Sequence, residues 1–175
     1  MEKVIWKADP THSEITFKVK HMMITNVTGI LSDYDITAES DDEHFLDATI
    51  TFKGKATSIS TGNQQRDEHL RSAEFFDVEK NPDITFKSTK FIQQGETYTL
   101  QGDLTIKGVT KNITLNVDFN GMQKDPWGKI RAGFVIKGSI SRKEFGLTWN
   151  TPLETGGVMV SDDVRIACEI QMVRS

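Results

Sequence analysis

Apolar and polar residues alternate one by one along most of the chain. Between Thr110 and Asn120, Ile113, Leu115, Val117 and Phe119 occupy one set of alternate positions, and Asn112, Thr114, Asn116, Asp118 and Asn120 occupy the other. A period of two marks a β-strand with one dry face and one wet face. The pattern recurs at Ile15, Phe17 and Val19, at Ile50 and Phe52, and at Ile84 and Phe86. It recurs at Tyr98 to Ile106, Ile130 to Ile140 and Val164 to Met172. With a less regular strand around Val27 to Ala38, the pattern predicts about eight strands. Gln94-Gly95-Glu96, Lys107-Gly108-Val109 and Asp125-Pro126-Trp127-Gly128 read as hairpin tips. Short hairpins make sequence neighbours into spatial neighbours, which gives an up-and-down antiparallel meander. Gly29, Gly102 and Gly138 lie inside strands and are expected at bends or bulges.

A sheet with one dry face must hide it. Closure into a barrel does so and also removes the edge strands. A two-sheet sandwich would bury the same pattern. Runs of about ten residues, roughly 33 Å, favour the barrel, because sandwich strands are usually shorter. One segment, Thr61 to Ser72, has no alternation. Thr61 followed by Gln64 resembles a capping box and predicts a short helical insertion near residues 63–72. Leu70, Phe75 and Phe76 give that insertion an apolar underside suited to one end of the barrel. Repeats, low-complexity tracts and linkers are absent, so residues 1–175 are expected to form a single domain.

Composition narrows the function classes. The net charge is −4, from 21 basic and 25 acidic residues, without the basic stripe of a nucleic-acid binder. No apolar run approaches the roughly 18 residues of a spanning helix, so stable membrane insertion is not expected. Met1 to Trp6 lacks the apolar core of a secretory signal, so the expected location is the cytoplasm, with the periplasm as the alternative had a leader been removed. Cys168 is the single cysteine, which rules out an internal disulfide and a cysteine-based zinc site.

Five motifs in order carry a family resemblance. They are Trp6-Lys7-Ala8-Asp9-Pro10-Thr11-His12-Ser13 with Phe17 to His21; Thr61-Gly62-Asn63 with Arg66 to Ser72 and Phe75 to Val78; Asn81 to Thr89; Gly102 to Thr110; and Arg142-Lys143-Glu144-Phe145-Gly146. Together they resemble the YceI-like family of polyisoprenoid-binding β-barrel proteins. The resemblance implies an extended, lipocalin-like antiparallel barrel with a long apolar cavity able to hold an isoprenoid chain. It does not imply an enzyme, and no cofactor is expected beyond the bound lipid.

The inward strand positions give the candidate ligand-binding set: Phe17, Val19, Phe52, Phe86, Leu104, Phe119, Phe134 and Ile136. Small barrels either fill with such side chains or enclose one ligand; the resemblance favours a cavity. Arg66, Asp67, His69 and Arg142 are candidates for a polar mouth. Arg66 or Arg71 could fork onto a phosphate or pair with a quinone oxygen, and His69 could donate a hydrogen bond there. Arg66 and Asp67, together with Arg142, could instead clamp the insertion to neighbouring strands, the favoured reading. His12, His21, His44 and His69 show no metal-ligand spacing. Cys168 falls among the dry positions and reads as a core residue rather than a nucleophile. The expected function is therefore binding, sequestration or transport of an apolar isoprenoid lipid: a polyprenyl phosphate, a quinone or a precursor. An enzyme acting on such a molecule through Asp67 and His69, or a closed-core barrel with a protein-interaction or stress role, are the alternatives. A homodimer is compatible with the wide sheet surface, but no residue argues for it.

Overall fold

The structure is a computed structural model, described over residues 3–41, 45, 47–150 and 159–175. Its strands are β1 (Val4–Ala8), β2 (Glu14–His21), β3 (Thr25–Leu31), β4 (Tyr34–Ser40), β5 (Thr49–Lys55), β6 (Ile59–Ser60), β7 (Asp83–Gln94), β8 (Thr97–Ile106), β9 (Val109–Lys124), β10 (Ile130–Ser141) and β11 (Asp163–Arg174). One α-helix, α1, spans Gln64–Arg71. These segments make eight barrel staves, because β1–β2, β3–β4 and β5–β6 are each one stave broken in the middle. The first break is a single turn at Pro10–His12, where Asp9 accepts hydrogen bonds from Thr11 N (3.0 Å) and Thr11 Oγ1 (2.7 Å). Proline at the start of that turn has no N–H to give to a ladder.

The meander is antiparallel throughout, and β11 closes it. Its last residues pair with β1 (Lys7 opposite Val173), and its first half pairs with β2 (Phe17 opposite Ile166). Every stave then has two neighbours, and the expected eight-stranded closed barrel is the fold. The sandwich is set aside.

The strand glycines play a different part from the one expected. Gly29, Gly102 and Gly138 do not take a left-handed backbone. A Cβ at Gly29 would lie 2.2 Å from the Phe17 ring across the ladder, and one at Gly102 would lie 2.3 Å from the Phe86 ring. The missing side chains let each ring lie flat on the wall instead of projecting into the lumen. The ladder does shift register between Ser88 and Lys90, next to Gly102, so a bulge adjoins one of these sites.

The two ends of the barrel differ. Trp6 is fully buried, with its ring centroid 4.7 Å from that of Phe45. Phe45 meets Phe134 edge-on at 5.0 Å, and Phe134 packs on Phe119 at 5.3 Å. These rings plug the end that carries the β7–β8 and β9–β10 hairpins. Just outside the plug, Arg131 donates to Asp9 Oδ2 (2.8 Å) and Asp125 Oδ2 (2.9 Å). Hydrogen bonds from His12, Thr11 and Arg131 hold the Asp9 carboxyl well below the usual carboxylate range. The opposite end carries α1, the β2–β3 turn and the connection after β10, and none of the described residues fills it.

Candidate functional site

Inside the unfilled half lies a cavity of about 600 Å³. That falls within the roughly 300–1,000 Å³ of sites that enclose one drug-sized ligand. Phe17, Val19, Phe52, Phe86, Leu104 and Ile136 all line it. Phe119 and Phe134 do not, which corrects their assignment: both belong to the plug. Phe134 borders a second void of about 50 Å³ nearer the closed end. Alternation tells which face of a strand is dry, but not how far along the barrel axis a dry residue sits.

The rim is built on α1. Asn63 caps the helix by accepting from Arg66 N at 3.0 Å, so Thr61 is not the cap that its spacing suggested. Thr61 serves instead as the anchor point. Its N–H and hydroxyl donate to Asp67 Oδ1 at 2.9 and 2.6 Å. Arg66 Nε donates to Thr61 Oγ1 (2.7 Å) and Nη2 to Thr61 O (2.9 Å). Asp67 is buried and is not on the cavity wall, so it works as a clamp between α1 and the end of β6. Arg66 shares in the clamp but is exposed and lies on the cavity lining. His69 hydrogen-bonds Glu74 through Nε2 and stands edge-on to Phe75 (5.0 Å) and Trp149 (4.7 Å). Leu70, Phe75 and Phe76 line the cavity beneath the helix, as its apolar underside predicted.

Arg142 is separate from this group. It is only 3% exposed. Its guanidinium donates to four main-chain carbonyls: Ser161 (2.8 Å), Leu147 (2.5 Å), Trp149 (2.9 Å) and Val160 (3.0 Å). Burial pulls its pKa below that of an ordinary arginine. It is a strut between the two arms of the β10–β11 connection, not a free head-group ligand.

Three rim residues escaped sequence reading: Lys20, His21 and Trp149 all line the cavity. Lys20 is on the wet phase of β2, but at a strand end the distinction between inside and outside fades. Trp149 lies in a stretch without alternation, so its sequence context carries no signal. The charged side chains on the lining are Lys20, Arg66 and Arg142, joined by His21 and His69; no carboxylate lines the cavity among the described residues.

Cys168 also lines the cavity, and burial pushes its thiol up to about 12. A thiol held protonated is a poor nucleophile. The folded protein should react with a disulfide reagent at least a hundredfold more slowly than the urea-unfolded chain, followed by thiolate release at pH 8. Equal rates would show that Cys168 is reachable and ionised. Among the described residues, no group of three or more His, Cys, Asp and Glu could hold a metal ion. His12 sits at the plugged end, His21 and His69 at the rim, and His44 lies outside the described residues.

The YceI-like domain model matches residues 6–172. The chain belongs to the YceI-like family. A UPF0312 protein from Staphylococcus epidermidis is 40% identical over 158 residues, which is 90% of either chain. A mutant of the Campylobacter jejuni YceI protein is 33% identical over 87% of both chains, with a TM-score of 0.75. A polyisoprenoid-binding domain from Saccharophagus degradans, 15% identical, superposes over 95% of this chain and 97% of its own with a TM-score of 0.67, which shows a shared fold. The YceI-like motifs now have physical roles. Trp6 belongs to the plug, Asn63, Arg66 and Asp67 fasten the helix, and Arg142 braces the rim.

Proposed function

We propose that this YceI-like barrel binds one isoprenoid lipid, tail inward and anionic head at the rim, and sequesters or carries it without altering it. The observation that carries this reading is an apolar lumen of about 600 Å³ whose charged lining residues, among the described residues, are all basic. Each buried methylene gives about 0.8 kcal/mol. Ten would give about 8 kcal/mol gross, partly offset by ordering the tail and losing free motion. The tail therefore supplies affinity through many small contacts. Lys20 and Arg66 would favour a phosphate over a neutral quinone head. The polyisoprenoid-binding neighbour from Saccharophagus degradans supports the ligand class. The acid–base alternative loses its geometry, because Asp67 is turned to Thr61 and His69 to Glu74.

The test is native mass spectrometry with a polyprenyl phosphate and a quinone of equal tail length. One lipid per chain is expected, with the phosphate held more tightly. Lys20→Gln should narrow that preference about tenfold, the worth of one charged contact, and leave quinone binding unchanged. An apo mass in the presence of both lipids would defeat the proposal.

A further inference from the structure

The turn between β2 and β3 is made of unusual residues for its shape. Met22 and Met23 have φ of 52° and 62°, and Ile24 N donates to His21 O at 3.2 Å. Two successive left-handed residues in a tight hairpin call for Asn-Gly or a similar pair. Methionine is a costly choice there, so the fold alone does not explain it. The side chains also point away from the protein. Met22 is 40% exposed, Met23 52% and Ile24 78%. Among the described residues six large apolar side chains are exposed, and four of them, these three and Ile30, belong to this one hairpin.

Position and charge agree with that exposure. Met22 N donates to Met159 O at 2.7 Å, and His21 bridges to Val160. Lys20, His21, Met159 and Val160 all line the cavity, so the apolar tip stands on its rim. From Ile15 to Leu31 the chain carries Lys18, Lys20 and His21 and no carboxylate, although the whole protein has a net charge of −4.

We propose that the Met22-Met23-Ile24 tip docks the barrel on the surface of an anionic bilayer, so that the cavity mouth opens onto the lipid phase. The inference rests on the reading that the cavity takes a lipid. Three side chains on a turn are far too small for a stable protein interface, which needs about 800 Å² from each partner. A bilayer asks for no shape complementarity. Flexible methionines suit its disordered interface, with lysines at head-group level behind them. One short tip gives shallow, reversible attachment, which a carrier that must leave again requires.

The test is flotation of the lipid-free protein with vesicles of phosphatidylcholine alone and of phosphatidylcholine mixed with phosphatidylglycerol. The wild type should float with the mixed vesicles and much less with the neutral ones. The double variant Met23→Ser, Ile24→Ser should partition at least tenfold less. It should still load polyprenyl phosphate from detergent micelles, which also shows that it is folded. A wild type that stays behind with both vesicles, or a variant that floats as well as the wild type, would overturn the proposal. So would a tip that instead joins two copies, seen as a dimer in sedimentation that the variant dissociates without changing flotation. Micelle loading reads the cavity by itself, so failure of the lipid reading appears there and not in the flotation.

Discussion

Ile113→Trp should weaken lipid binding roughly fifty-fold without lowering stability. Ile113 lines the cavity, in ladder register with Gly102 on the neighbouring strand. The space over Gly102 is already taken by the Phe86 ring, so the wall at this level has no free room. An indole at position 113 has nowhere to go but the lumen. If it excludes about three methylenes of the tail, at about 0.8 kcal/mol each, the loss is about 2.4 kcal/mol, and each 1.4 kcal/mol is tenfold in affinity. The fold should not suffer, because the indole buries new apolar surface in a space that held no protein atoms. Calorimetric titration with a polyprenyl phosphate and a thermal melt on the same sample separate the two effects. Unchanged affinity would place the tail elsewhere. A lowered melting temperature would mean that the wall, and not the tail, had been displaced.

The residues in that argument show what alternation can and cannot reveal. It identified Phe86, Leu104 and Ile113 as inward-facing because a strand side chain has only two faces to choose from. It treated Phe119 and Phe134 as their equals, because depth along a barrel depends on stagger between strands, which no single strand encodes. The closed end depends on Phe45 and on Trp6, whose partners are far away in sequence. The helical insertion was legible from lost alternation and an apolar underside. Its cap differs from the expected one because Thr61 and Asn63 are both good capping residues, and only the fold shows that Asn63 accepts from Arg66 N while Thr61 is engaged by Asp67. The motifs of the YceI-like family pointed to Arg66, Asp67 and Arg142 without separating a rim residue from a clamp or a strut. That difference lies in the hydrogen-bond partners, and several of these are main-chain carbonyls that have no identity in a sequence.

Arg142→Met should cost about 3–5 kcal/mol, because each buried acceptor left without its donor costs about 1–3 kcal/mol. Methionine keeps the apolar stem in place, so the loss isolates the guanidinium. Each hydrogen bond to a charged group is worth about 1.5–3 kcal/mol when it stands alone. The bonds here share one cation and will not add. The larger part of the cost comes from the acceptors left behind: the carbonyls of Leu147, Trp149 and Ser161 would lose the guanidinium donor at buried or partly buried sites, while Val160 O keeps Asn150 Nδ2 at 2.7 Å. Urea titration should show a lower midpoint with an unchanged slope, as expected when the compactness of neither state changes. Arg142→Lys should recover only a fraction, since one ammonium cannot span carbonyls that a planar guanidinium reaches from Nε, Nη1 and Nη2. The rim should respond as well. Trp149 is held over His69 and Phe75, at 4.7 and 5.4 Å, by a main chain that Arg142 tethers. Loss of the tether should red-shift the indole emission and speed lipid release from the folded protein. A variant as stable as the wild type would mean that the connection holds its shape without the strut, and Arg142 would then be free to serve as a ligand for the head group.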